Sequence, residues 1–213
     1  MINAHILPMA YKTSTKRYRR QPQQRRARQT VEAVLEAVVR IVKRGGIQAV
    51  TTNRVAEVAG VSIGSLYQYF PNKQAIFLAL HQRHIEEIDQ LINRTIVKHA
   101  HSPLDKLIRA VIDAMVDAHA ADPQFSAAIF SEIPHRPEGT QDFAVRLHGT
   151  FRLALAAHSR DIKRRSNLDT VVFIVANMID SLAHSAALRR PPGLSLSAAK
   201  EEAVRVVLAY LRG

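Results

Sequence analysis

Apolar residues recur at every third or fourth position through most of the chain, which is the spacing of one helix face. No stretch shows the convincing residue-by-residue alternation of a half-buried strand, so we expect an all-α protein. The pattern predicts loops at 134–140 and 160–166 and nine helices. These are expected at about 30–43, 52–59, 63–70, 72–98, 103–121, 123–132, from after 140 to 158, 167–188 and 197–211.

The second and third of these helices are short and separated by a tight turn. Thr52 is a candidate N-cap for a helix whose apolar side includes Val55 and Val58. Gly60 follows that helix, where a residue tolerant of positive φ is needed, and Ser62 can cap the next helix. The arrangement predicts a helix-turn-helix, in which the second helix enters the DNA major groove.

The outward face of that second helix carries the candidate DNA contacts. Leu66 and Phe70 are four residues apart and should face inward, which leaves Ser65, Gln68 and Tyr69 outside. The Gln68 amide can pair bidentately with adenine. Tyr67, Tyr69 and Thr52 suit phosphates, which set register without reading sequence. Gly64 lets the helix backbone approach the duplex closely.

This stretch resembles the TetR family of one-component transcriptional regulators over roughly residues 28–80. The resemblance rests on the run Ala59-Gly60-Val61-Ser62, then Gly64, Leu66-Tyr67-Gln68-Tyr69-Phe70 and Lys73. It implies that Tyr67 and Tyr69 contact phosphate, that residues 62–68 line the groove, and that Lys73 binds phosphate at the next helix start. It also implies a dimeric regulator, usually a repressor. Beyond residue 80 only the length and the all-helical pattern are similar.

Charge is concentrated where the motif lies. The chain has net charge +12, and residues 1–75 hold 13 Lys and Arg against 3 acidic residues, while the rest holds 17 against 15. Binding to phosphates should therefore weaken steeply with salt. The candidate DNA contacts are Arg25, Arg26, Arg28, Thr52, Arg54, Ser62, Ile63, Gly64, Ser65, Tyr67, Gln68, Tyr69 and Lys73.

Three segments follow from these patterns. Residues 1–24 should form a basic disordered arm, because the first 30 residues contain eight Lys and Arg and no acidic residue. The arm either follows the DNA backbone or enters a minor groove, or it is a solubilising tail or the product of a misassigned start codon. Residues 25–73 should form the three-helix helix-turn-helix domain, and residues 74–213 a larger helical domain for effector binding and dimerisation.

The larger domain combines phenylalanines with a few polar side chains, which would suit a lipophilic small-molecule effector. Most of these aromatic residues can equally be ordinary core. Candidate effector contacts are Phe77, Met115, His119, Phe151, Asn177 and His184. His81 and His84 have a spacing that could share a metal, but no supporting ligand is evident and solvated or capped histidines are preferred. No metal or cofactor is therefore expected.

The last two helices, at about 167–188 and 197–211, suit a homodimer interface, since one is slim and the other has an apolar stripe. The alternative is that they pack only within one chain. Cysteine is absent, no uninterrupted apolar run approaches the ~20 residues of a membrane span, and the N-terminus lacks the features of a secretory signal. A cytoplasmic protein is the simplest expectation.

Three functional hypotheses follow. The first is a ligand-responsive repressor that binds a palindromic operator as a dimer and is released by a small effector. The second is a sequence-tolerant DNA-binding protein without an effector. The third is a serine hydrolase, since Gly60-Val61-Ser62-Ile63-Gly64 fits the nucleophile-elbow pattern. That motif requires a preceding strand. A helix is expected before Ser62, so we predict an N-cap and no enzyme.

Overall fold

The computed structural model describes residues 25–123, 126–127, 132, 140–163 and 166–213, with the backbone alone at 140–144. This part of the chain contains no β-strand, and the all-α prediction is confirmed. A single 3-10 turn lies at Ile47–Ala49. The α-helices are α1 Arg25–Gly45, α2 Thr52–Ala59, α3 Ile63–Tyr69, α4 Lys73–Lys98, α5 Leu104–Ala120, α6 Thr140–Ala157, α7 Leu168–Leu188 and α8 Leu196–Arg212.

Two helix caps differ from prediction by one or two residues. The N-cap of α2 is Thr51, not Thr52, and its hydroxyl accepts a hydrogen bond from the Arg54 amide at 3.2 Å. The last helix was expected to be capped at Ser197, where its predicted range begins, but the N-cap of α8 is Ser195. A cap needs extended backbone angles so that its side chain can reach back to the third amide. Thr52 and Ser197 already lie within their helices, so they cannot serve.

Helix α1 begins at Arg25, about five residues before the predicted start at Thr30. The apolar pattern begins only at Val31, but arginine and glutamine are good helix formers and extend the helix without a buried face. Arg25, Arg26 and Arg28 therefore lie on α1. The predicted arm, residues 1–24, and most of the predicted helix and loop at 123–140 lie outside the described residues.

Two hydrophobic cores are present. The first unites α1, α2, α3 and the start of α4 around Leu35, Val38, Leu66 and Phe70. The second unites the rest of α4 with α5, α6, α7 and α8. Helix α4 contributes to both: its buried residues through Leu80 belong to the first core, and those from Ile88 onwards belong to the second.

Helix α7 has the length and composition of a membrane span, with a mean hydropathy of 1.6 over 18 residues, although its uninterrupted apolar runs are much shorter than a membrane span. Such a measure does not distinguish a span from an ordinary core helix. Val171, Val175, Ile179 and Ala183 on this helix are buried in the second core. Only 33% of the same window is buried, so much of its apolar surface faces outward.

Candidate nucleic-acid interface

The turn between α2 and α3 has the backbone that its sequence predicts. Gly60 ends α2 in the left-handed conformation, with φ 68°, where a residue with a Cβ is strained. The Val61 amide donates to the Ala56 carbonyl at 3.0 Å, and the Val61 side chain packs against the first core. These contacts fix the angle between the two helices.

Ser62 is the N-cap of α3, as predicted. Its hydroxyl accepts a hydrogen bond from the Ser65 amide at 3.0 Å and lies 2.8 Å from the Ser65 hydroxyl. The element before it is helix α2, whereas a nucleophile elbow would follow a strand. The Ser62 hydroxyl is therefore engaged at the start of the recognition helix.

One face of α3 is anchored and the other is open. Leu66 and Phe70 are both fully buried in the first core. Gly64 and Gln68 are exposed. The apolar side chain of Ile63 and the aromatic side chain of Tyr67 are each 39% exposed, although both are large. This seven-residue helix is thus fixed from behind and presents a continuous surface of mixed polarity.

Tyr69 does not face outward as predicted. Its ring is partly buried against the first core, and Ser65 is partly buried as well. Tyr69 follows the buried Leu66 by three positions and precedes the buried Phe70 directly, which places it at the edge of the inward stripe.

Two of the predicted phosphate contacts are brought together. The Thr52 hydroxyl on α2 lies 3.2 Å from the Tyr67 hydroxyl on α3. An oxygen acceptor placed beside this pair could be contacted from both helices. Arg54, a further candidate on α2, is exposed and forms a 2.8 Å ion pair with Glu57.

Two arginines on α1 extend this basic surface and escaped the sequence analysis. Arg40 and Arg44 line a surface recess of about 150 Å³ together with Arg54. Arg40 also donates to the Val58 carbonyl at 3.3 Å, which connects α1 to α2. Their position in the last turns of an amphipathic helix gives no sign of this proximity in the sequence.

Lys73 is the first residue of α4, behind the N-cap Asn72. Its Nζ atom lies 3.7 Å from the Glu132 carboxylate and 5.5 Å from the centre of the Phe77 ring. The Lys73 side chain is 29% exposed. The candidate phosphate ligand thus has an intramolecular carboxylate partner, contributed by the segment between α5 and α6.

The predicted effector contacts do not form one group. Phe77 fills the first core, because it lies less than two turns into α4, and Asn177 is exposed on α7, where its amide donates to the Phe173 carbonyl. Neither residue therefore lies among the buried residues of the second core. Met115 and Phe151 lie in the second core.

Histidines form a cluster that the sequence analysis missed in part. His119 and His184 were predicted effector contacts, and their rings meet edge to face at 5.5 Å. His84 joins them, with its ring centre 5.6 Å from that of His119. His81 is only 8% exposed, so it is not solvated, which was one of the two states expected for it. Among the described residues, no group of three or more His, Asp or Glu side chains is arranged to hold a metal ion.

The fold and the anchored, open-faced α3 define a helix-turn-helix DNA-binding protein. Residues 34–80 match the family model of bacterial regulatory proteins of the tetR family, and residues 103–211 match a tetracyclin repressor-like C-terminal domain. The second match alone covers 109 of the 213 residues. The chain belongs to the TetR family of bacterial transcriptional regulators, as its motif predicted.

One relative of known name is similar in sequence to only part of this chain. The HTH-type transcriptional repressor KstR of Mycolicibacterium smegmatis is 37% identical over 67 residues, which are 32% of this chain and 33% of KstR. The chain thus matches about a third of the length of that relative. The similarity is therefore confined to part of each protein.

Solved structures are similar over nearly the whole chain. A TetR-family transcriptional regulator from Streptomyces coelicolor has a TM-score of 0.64 and 24% identity, with 86% of this chain and 96% of that one covered. The regulator FadR from Bacillus subtilis, in complex with stearoyl-CoA, has a TM-score of 0.60 and 18% identity, with 84% and 98% covered. At these identities the likeness concerns the fold.

Proposed function

We propose that this protein is a ligand-responsive repressor, which binds a palindromic operator as a homodimer and releases it when a small molecule binds the second core. The carrying observation is the exposed face of α3, which is anchored by the buried Leu66 and Phe70. A seven-residue helix held in this way can lie in a major groove with its polar residues against base edges.

Within this interface the contacts divide into two kinds. Gln68 is exposed on α3 and has the amide needed to read adenine, so we assign it base recognition. The paired hydroxyls of Thr52 and Tyr67 are assigned to one phosphate, and Arg54 and Lys73 to others. The exposed Arg25, Arg26 and Arg28 on α1 extend the basic surface towards the arm at residues 1–24.

Dimerisation through α7 and α8 is supported by their exposed apolar residues. Phe173 on α7 is 57% exposed, and Val206 on α8 is 46% exposed. Along α7, Ser181 is exposed while Ala176, Ser185 and Ala187 are only partly buried, so small residues keep part of its surface slim. Two such helices from each subunit can pack as a four-helix bundle.

The effector is proposed to be lipophilic. The second core is built from aliphatic residues with Met115 and Phe151, and its polar groups include the His119 and His184 imidazoles. FadR of Bacillus subtilis, which shares this fold, was solved with stearoyl-CoA. An effector that enters this core would act on α4, which also carries Lys73, and so change operator affinity. The protein would work in the cytoplasm, where its operator is.

The base-reading role of Gln68 can be tested by substitution. Gln68→Ala should weaken operator binding by about 1–3 kcal/mol and relax preference at one base pair, because a bidentate contact to adenine is lost. The measurement is a binding selection on an operator library, for wild type and variant. Gln90→Ala, at an exposed glutamine in the second half of α4, is the matched control. An equal loss on every sequence would make Gln68 a backbone contact instead.

The contact between Lys73 and Glu132 allows a second test. Glu132→Gln should strengthen DNA binding about two- to five-fold, because a partly exposed ion pair that competes with phosphate is worth roughly 0.4–1 kcal/mol. Lys73→Gln should weaken binding on every sequence and lower the salt slope by about one.

The double variant separates competition from an indirect effect. If Glu132 acts by holding Lys73, Glu132→Gln should have no effect in the Lys73→Gln background. Titrations at several salt concentrations measure the DNA affinity of each variant and the dependence of that affinity on salt. Asp113→Asn, which removes a partly exposed carboxylate 3.8 Å from Lys200 and lies on α5, is the matched control. An unchanged affinity of Glu132→Gln in the wild-type background would contradict the competition.

The proposed dimer interface predicts the effect of a charge at its centre. Phe173→Glu should convert the protein to a monomer at micromolar concentration, because a carboxylate would lose its water in the interface without a partner. Sedimentation equilibrium measures the mass. Val97→Glu, at a still more exposed apolar position at the end of α4, should leave the dimer intact. A Phe173→Glu protein that remains dimeric would place the interface elsewhere.

A further inference from the structure

A pair of histidines lies where α4 passes from one core to the other. Residues up to Leu80 pack in the first core, and residues from Ile88 pack in the second. His81 and His84 fall in the interval between them, and both are withdrawn from solvent. The connecting helix thus carries titratable groups, where an ordinary core helix would continue its apolar stripe.

Two further histidines extend this pair across three helices. The ring of His84 on α4 lies 5.6 Å from that of His119 on α5, and the ring of His119 lies 5.5 Å from that of His184 on α7. His119 is 4% exposed. We call His81, His84, His119 and His184 the histidine cluster. The rings of His84, His119 and His184 contact one another in sequence at the junction of α4, α5 and α7, and His81 precedes His84 by three residues on α4.

Burial keeps the histidine cluster neutral at pH 7. It is the main cause that lowers the pKa of His81 and of His119 to about 4, and the neighbouring imidazoles lower these pKa values further. Burial likewise lowers the pKa of His84 and His184. Among the described residues, the charged groups that act on the cluster include Glu87, which opposes the lowering of the His84 pKa, and Asp180 and Arg189, which raise and lower the pKa of His184, respectively.

We propose that the histidine cluster is a proton-sensitive hinge: below about pH 6.5 the junction of α4, α5 and α7 opens, and operator affinity falls. The consequence for DNA rests on the function proposed above, whereas the opening itself does not. The hinge requires no effector, so acidification lowers operator affinity independently of effector binding.

The direction of the pH effect follows from which state of the junction binds protons more tightly. In the closed junction the imidazoles stay neutral down to about pH 4 for His81 and His119. In an opened, hydrated junction each would titrate near 6.5. The stabilisation of the closed junction is therefore fully present above pH 6.5 and is lost as the pH falls towards 4. The ratio of opened to closed protein should rise about ten-fold per pH unit for each histidine that gains a proton.

The cluster lies near two of the connections to the DNA-binding unit. Helix α4 begins at Lys73 in the DNA interface, and three residues after His119 the Asp122 carboxylate forms a 2.9 Å ion pair with Lys43 on α1. Movement of α4 and α5 at the cluster would thus be transmitted to α1 and to Lys73 together. This provides a route from protonation to the position of α3.

Hydrogen exchange tests the opening without any DNA. Exchange of the amides at 80–88 and 115–121, corrected for the intrinsic pH dependence, should accelerate in the wild type between pH 6.5 and 5.5 by at least about ten-fold. The double variant H84L/H119L should lose this acceleration. His101→Leu, which removes an exposed histidine before α5, should behave as the wild type. The same acceleration in wild type and double variant would overturn the proposal.

A milder variant guards against a folding defect in the double variant. His184→Leu replaces a partly buried ring at the edge of the cluster, and it should reduce the pH dependence without abolishing it. An undiminished pH dependence in this variant, with intact helicity, would also contradict the hinge.

Operator affinity at constant ionic strength tests the consequence. The wild type should lose affinity between pH 6.5 and 5.5, while H84L/H119L should not. Constant wild-type affinity despite faster exchange would overturn the link to DNA. A protein that binds no operator even at pH 7.5 would refute the proposed function, and the exchange experiment would still decide on the hinge.

Discussion

The burial of α4 in two separate cores is the constraint on which the remaining structure depends. This helix of 26 residues gives Ile76, Phe77 and Leu80 to the DNA-binding core, and Ile88 and Ile92 to the second core. Because close-packed interiors transmit displacement, neither core can shift along α4 without strain in the other. A regulator that must connect a ligand site to a DNA site requires such a shared element.

The DNA interface has a different origin, since it depends on local capping rather than on large cores. Gly60 in the left-handed conformation and the Ser62 cap fix the turn, and Leu66 and Phe70 hold α3 from behind. Their joint effect is to leave a short helix exposed without loss of order. DNA binding then carries no free-energy cost for ordering this surface, and this favours both affinity and specificity.

Sequence predicted best what local chemistry determines. The glycine turn, the Ser62 cap and the buried pair on α3 follow from spacing and residue type, and the TetR resemblance follows from them. Prediction from the sequence failed where the position of a side chain depends on residues distant in the sequence. The Lys73 contact with Glu132, the burial of Phe77 in the first core and the contacts among His84, His119 and His184 arise from tertiary packing, for which no short-range pattern exists.

Footprinting the purified protein on the DNA upstream of its own gene, at physiological salt and neutral pH, tests the central claim most directly. A dimer with one α3 in each of two successive major grooves should protect a short site with two-fold symmetry, and its half-sites should lie about 34–36 Å apart or a multiple of that. Diffuse protection there, together with no enriched site in a random-library selection, would contradict a specific dimeric repressor and indicate sequence-tolerant binding.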